Sequence, residues 1–171
     1  ETQTYYLTLI RKFHMSEAPS FSMPNEFSSG KTSEVIRHCS ELKDIKKALE
    51  NLQKWALMAC EALGTVEHQE IATLHYECGQ LLLNFLKNGG NPEELLAIYK
   101  DRPREASLSS LKNALRIPEE SFELAKAFFS RAVTNEKASL DKRRSGFGEL
   151  VKIHEKMAEI KTLTGFPQEA L

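Results

Sequence analysis

Apolar positions recur at alternating spacings of three and four along most of this chain. Leu42, Ile45, Leu49, Leu52, Ala56, Ala59 and Leu63 lie on one seam of a helix of about six turns. Upstream, Thr32 or Ser33 is placed to cap a helix at Glu34. The pattern then runs from Val35 through Cys39 into the seam, with Ser40 as a local break, until Gly64 stops it. A second stripe of Ile71, Leu74, Cys78, Leu81 and Phe85 follows Thr65, a reasonable cap, and ends at Lys87-Asn88-Gly89-Gly90. So short a connection between two matching seams predicts an antiparallel hairpin.

Asn91-Pro92-Glu93-Glu94 predicts a sharp helix start, with Asn91 as cap, Pro92 in the first helical position and Glu94 where a capping box puts its carboxylate. The short helix runs through Tyr99 until Asp101-Arg102-Pro103 interrupts it. A further helix from near Arg104 carries Leu108, Leu111 and Leu115 on one face, and Ile117-Pro118-Glu119-Glu120 reads as a stop followed by a new start. The helix from Pro118 bears Phe122, Ala125, Phe129 and Ala132, widened by Leu124, Phe128 and Val133, a breadth that places it centrally in a bundle. Its pattern weakens from Lys142 to Gly148. There Gly146 and Gly148 predict a turn or kink, since each interior glycine costs about 1 kcal/mol relative to alanine. The last helix is expected to turn Phe147 or Leu150, Val151, His154, Met157 and Ile160 inward, with Gly165 and Pro167 ending the fold.

No run reads clearly as a strand. The predicted fold is all-α, an antiparallel bundle of about five to seven helices. The segment from His75 to Pro103, with Gly79, Leu82, Leu95 and Pro103 at suggestive offsets, resembles a tetratricopeptide helix pair over less than a fifth of the chain. Asn91 stands where that family has a small residue. The resemblance implies the alternative architecture, a short tetratricopeptide-like helical array.

The N-terminal residues follow neither rhythm alone: Tyr5, Leu7 and Leu9 alternate as in a strand, while Tyr6, Leu9, Ile10 and Phe13 share a helical face. Met15 would be a natural start of translation. Residues 1–14 are therefore expected to be a foreign leader or a partner peptide joined in front of the domain, with an ordinary N-terminal arm as the equal alternative. Residues 15–31 carry Pro19, Pro24 and scattered serines and read as a linker, which Phe21, Met23 and Phe27 are placed to pin across the surface of a helical domain at 32–171.

Composition narrows the classes. At 171 residues, 41% hydrophobic and 27% charged, the chain suits one domain with a proper core. A formal charge of −1 provides no general field for nucleic acid or anionic membranes. Cys39, Cys60 and Cys78 lack close C-x-x-C spacing and read as small core residues in a reducing compartment. With no apolar run near the roughly 18 residues of a membrane span and no secretory leader, a cytoplasmic or nuclear location is expected.

The chemistry-bearing residues point away from catalysis. His68 and His75 share a helix with Glu67, Glu70 and Glu77, and His38 and His154 fall elsewhere. The Glu-x-x-His pairs that gather metals in bundles are missing from the sequence, so no metal or cofactor is expected. Cys60 and Cys78 sit within helices rather than at nucleophile turns, and Gly89-Gly90 and Gly146-x-Gly148 are not phosphate loops. Lys142, Arg143 and Arg144, with Arg131 and Lys137, could form a patch for an anion or acidic partner, against the favoured reading of a solvated helix end; nucleic acid is not expected. Trp55 lies beside the seam, where it either closes the bundle edge or anchors a partner.

These observations favour a non-enzymatic interaction module, an adaptor, scaffold or regulatory subunit that receives a peptide or amphipathic helix of another protein in a groove between helices. Its expected contacts are Tyr6, Leu9, Ile10, Phe13 and Trp55. A two-seam hairpin can also pair with a copy of itself. The alternative is an enzyme or metal-binding bundle using His75 and His154 with neighbouring glutamates.

Overall fold

The computed structural model describes residues 21–165. These residues form six α-helices and no strand: α1 (Thr32–Glu41), α2 (Ile45–Leu63), α3 (Gln69–Lys87), α4 (Pro92–Ile98), α5 (Ser110–Thr134) and α6 (Leu140–Leu163). The helices pack against one another as the predicted all-helical bundle. None of them is long and apolar enough to cross a membrane.

The seam at 42–63 does not begin at Leu42. Leu42 is extended, and α2 starts at Ile45 because the Asp44 carboxylate accepts hydrogen bonds from the backbone N–H groups of Lys46 and Lys47. The break expected at Ser40 therefore falls at Leu42–Asp44, while the Ser40 hydroxyl bonds the Arg37 carbonyl within α1. The α1 cap also differs from expectation, because Thr32 is the first helical residue and its hydroxyl reaches inward. It accepts from Trp55 Nε1 at 3.1 Å and donates to a Glu70 carboxylate oxygen at 3.3 Å. Trp55 is 0% exposed, so it belongs to the buried face of α2 and not beside it.

The segment ahead of α1 covers this tryptophan. The Phe27 ring lies 5.2 Å from the Trp55 ring, and Phe21 stacks on His38 at 4.1 Å. Phe21, Met23 and Phe27 are partly buried against a core of Val35, Cys39, Ala48, Leu52, Trp55 and Ala59.

The helix α3 begins at Gln69, four residues beyond the expected cap Thr65. His68 Nδ1 accepts from the Glu70 N–H, whereas Thr65 Oγ1 bonds the Glu67 N–H within the loop. Two faces of α3 are apolar. Ile71 and Leu74 meet α1 and α2 in the core just described. Ala72, Tyr76, Leu83 and Leu86 join Phe122, Ala125 and Phe129 in a second, larger core. The second contact, α3 on α5, is the most extensive in the fold, followed by α5 on α6. The centre of the bundle is therefore shared between α3 and α5, where the sequence placed the helix from Pro118 alone. A side chain on Gly79 would put its Cβ 2.8 Å from Phe122 Cε1, so glycine lets the two helices close on that ring.

Two expected interruptions are absent. There is no helix from Arg104; α5 starts at Ser110, capped by Ser109, and passes through Pro118 to Thr134. Pro118 forfeits the bond to the Ala114 carbonyl, but its ring is almost wholly buried, and packing offsets that loss. Likewise α6 runs unbroken through Gly146 and Gly148, and the interruption falls at Asn135–Ser139, where the Ser139 hydroxyl accepts from the Lys142 N–H. Gly146 is buried against α5, with its Cβ position 2.9 Å from Val133 Cγ1. The inward seam of α6 is thus Gly146, Leu150, Ile153, Met157 and Ile160. Leu150, Met157 and Ile160 match the expectation, whereas Phe147, Val151 and His154 face outward. Leu124, expected to widen the α5 stripe, is also half exposed.

The loop between α4 and α5 is held by a buried side chain that no periodicity marks. Asn113 Nδ2 donates to the carbonyls of Glu105, Leu108 and Ser109, and its Oδ1 accepts from the Glu105 N–H at 2.9 Å. A fork of Arg104 on Glu93 and an ion pair of Arg102 with Glu120 tie the same loop down from outside.

Candidate functional site

A groove of about 230 Å³ lies between the C-terminal half of α3 and the corner where α1 meets α2. Its apolar floor includes Ile36, Leu42, Leu81 and Phe85, all half-buried, so each still presents carbon to the groove. The extended turn at Leu42–Asp44 makes this opening, because it carries the chain off the helical path at the end of α1.

One wall of the groove is polar and regular. Gln80, Asn84 and Asn88 follow one another at intervals of four along α3 and its C-terminal cap, with Glu77 one turn before. None of the three side-chain amides bonds another group among the described residues, and each offers two N–H donors and a carbonyl acceptor. At 1.5 Å per residue they are spaced about 6 Å apart, close to the roughly 6.6 Å that two residues of an extended chain span.

The end of this wall is fixed by the backbone. Gly89, at φ +85°, lets the chain turn so that its N–H bonds the Leu86 carbonyl and the Gly90 N–H bonds the Phe85 carbonyl at 2.8 Å. That is a Schellman closure, and it holds Asn88 at the mouth of the groove. Gly90 also abuts Phe85 so closely that a Cβ there would sit 2.6 Å from the ring, which keeps the ring in the floor. Lys43 stands on the opposite rim. The Glu77 carboxyl is raised above its ordinary value by burial, which outweighs the pull of Lys152.

Comparison with family models, curated proteins and solved structures finds no match for this chain.

Among the described residues, those singled out by sequence are dispersed. Tyr6, Leu9, Ile10 and Phe13 lie outside the described residues, as do residues 1–20 altogether. Trp55 is sealed beneath Phe27 with its N–H bonded to Thr32, and its ring offers nothing to a partner in this conformation. Lys142, Arg143 and Arg144 have separate surroundings. Arg143 Nε donates to the Val133 carbonyl at 3.1 Å and closes the end of α5, and Arg144 projects from α6. Lys142 lines an open cleft with Arg131 and Lys137, but Glu67 and Asp141 line it too, and Arg131 approaches Glu67 at 3.7 Å.

The histidines serve separate elements. His38 stacks on Phe21, His68 caps α3, His75 is half-buried in α3 with its pKa lowered by burial, and His154 is exposed on α6. No group of three or more His, Cys, Asp or Glu side chains among the described residues is placed to hold a metal ion. Burial pushes the Cys39 thiol up to about 11 and raises Cys78 as well, which suppresses the thiolate a nucleophile needs.

Sequence reasoning missed the amide wall. Its signal was present in the spacing of Gln80, Asn84 and Asn88, but an amide on a helix is ordinarily just solvated, and only the adjoining groove gives the row a direction.

Proposed function

We propose that this chain is a non-enzymatic interaction module that holds an extended peptide segment of another protein in the groove between α3 and the α1–α2 corner, as an adaptor, scaffold or regulatory subunit does. The observation that carries this reading is the row of unpartnered amides at peptide spacing beside an apolar floor. Amides of this kind pair with main-chain N–H and C=O groups of a bound strand irrespective of its side chains, while a pocket beside them selects one residue. At about 230 Å³ the groove is smaller than the 300–1,000 Å³ usual for small-molecule sites, which suits a single large apolar side chain of the peptide better than a cofactor. His75 and His154 have no part in this reading.

Selection of random displayed peptides on the full chain, followed by titration of the recovered peptides, tests it. Recovered peptides are expected to share a large apolar residue. The triple variant Gln80→Ala, Asn84→Ala, Asn88→Ala is expected to bind them at least about tenfold more weakly, because each lost main-chain bond is worth about 0.5–1.5 kcal/mol. Failure to recover any peptide, or equal binding by the triple variant, overturns the reading.

A further inference from the structure

The helix α6 carries a second apolar stripe that no other helix among the described residues covers. Leu140 is 61% exposed, Phe147 55% and Val151 58%, and Ala158 continues the line. At 100° per residue these four lie within about 40° of arc, roughly a third of a turn from the inward seam of Gly146, Leu150, Ile153, Met157 and Ile160. The stripe therefore faces away from the α5 contact.

Its spacing reads the same from both ends. Leu140, Phe147, Val151 and Ala158 are separated by seven, four and seven residues. An identical helix laid antiparallel about a twofold axis between Phe147 and Val151 sets Phe147 against the second Val151 and Leu140 against the second Ala158. Such a pairing is self-complementary, as a twofold interface must be.

The charges beside the stripe match the same arrangement. Arg144 and Glu155 lie on one flank of it, both exposed, and neither forms an ion pair among the described residues. Arg144 is five residues before the axis and Glu155 six after, so Arg144 of each copy comes level with Glu155 of the other to within about 1.5 Å along the helix. On the other flank His154 falls opposite Arg143, whose guanidinium is already engaged by Val133. Among the described residues no side chain or neighbouring element comes within 4 Å of the Gly148 Cβ position, which leaves the surface beside Val151 open to close approach.

We infer that the outer face of α6 is a self-association surface on which a second copy of the chain docks its own α6 antiparallel, with Phe147 and Val151 at the centre and reciprocal Arg144–Glu155 pairs at the rim. The surface is separate from the amide-lined groove and independent of it.

Sedimentation equilibrium of the full chain from about 1 to 100 µM, a range set by the weak affinity expected of a single helix pair, tests the inference. The wild-type chain is expected to show a monomer–dimer equilibrium in that range. Val151→Asp is expected to abolish it. Arg144→Glu and Glu155→Arg are each expected to weaken it about three- to tenfold, and the double variant to restore it, since the swapped pairs again oppose. All these positions are exposed, and thermal melts of each variant confirm the fold. A monomeric wild type at the highest concentration, a dimer indifferent to Val151→Asp, or a double variant no better than the singles overturns the inference.

Discussion

Along α3, the face toward α5 and the face toward α1 and α2 carry apolar residues at the same spacing, yet they meet their neighbours differently. Toward α5, small residues let the backbones approach: Ala72 and Gly79 on α3 stand opposite a region that includes Ala125, and Phe122 fills the space Gly79 leaves. That contact is buried, and Tyr76 adds an aromatic contact at 5.6 Å from Phe122. Toward α1 and α2 the N-terminal half is equally closed by Trp55. The C-terminal half is not, because the chain leaves its helical path at Leu42–Asp44, and Leu81 and Phe85 stay half-buried beside a row of amides. One helix therefore supplies both the structural centre and the candidate binding wall. The difference arises from a non-helical turn in a neighbour and not from hydrophobicity.

The sharpest way to break the closed face is Phe122→Ala. It should cost about 3–5 kcal/mol, read as a lowered midpoint in urea unfolding, because the ring is fully buried and its neighbours are held by two helices. A value below 1 kcal/mol would mean that α3 and α5 are not zipped through Gly79. Trp55→Phe probes the closed half of the other face. Losing the indole N–H bond to Thr32 together with ring volume should cost about 1–3 kcal/mol, while the Thr32 bond to Glu70 persists.

Expectations differ on the open half. The triple amide variant should leave stability within about 1 kcal/mol of wild type, since Asn84 and Asn88 are exposed and alanine is the better helix former. A large loss of stability there would mark the amides as structural. The smallest effect concerns Glu77. Its carboxyl pKa is raised in the folded chain, so it contributes stability below its unfolded pKa that is lost as pH rises through the folded value. Glu77→Gln should accordingly gain less than about 1 kcal/mol at pH 7 and flatten the thermal midpoint against pH just above the ordinary carboxylate range.

Much of the architecture was written in the three-four rhythm. The α2 seam from Ile45 to Leu63, the apolar positions of the first stripe of α3, the Asn91-Pro92 start and the Asn88-Gly89-Gly90 stop lie where that rhythm puts them, whereas the starts of α2 and α3 are set by Asp44 and His68. The second face of α3 was harder to read, because Ala72 and Gly79 are too small to register as hydrophobic and Tyr76 has a polar tip. Pro118 and Gly146 read as breakers on local propensity, and tertiary packing overrides that propensity at both. The α6 register went astray for a further reason: the helix has two apolar stripes, and the one with the larger residues, Phe147 and Val151, is the outer one. Of the candidate site, sequence offers Trp55 either as closing the bundle edge or as an anchor for a partner, and does not mark the amide row. Burial gives Trp55 to the core and leaves the groove to Gln80, Asn84 and Asn88.

The central claim, that α3 presents its amides to an extended peptide, is tested most directly by nuclear magnetic resonance of the side-chain NH₂ groups while a selected peptide is titrated in. The signals of Gln80, Asn84 and Asn88 should move together with the backbone amides of Leu81 and Phe85, and those of Phe147 and Val151 should stay in place. Shifts that spare the three amides, or that fall on the outer face of α6 instead, would contradict it.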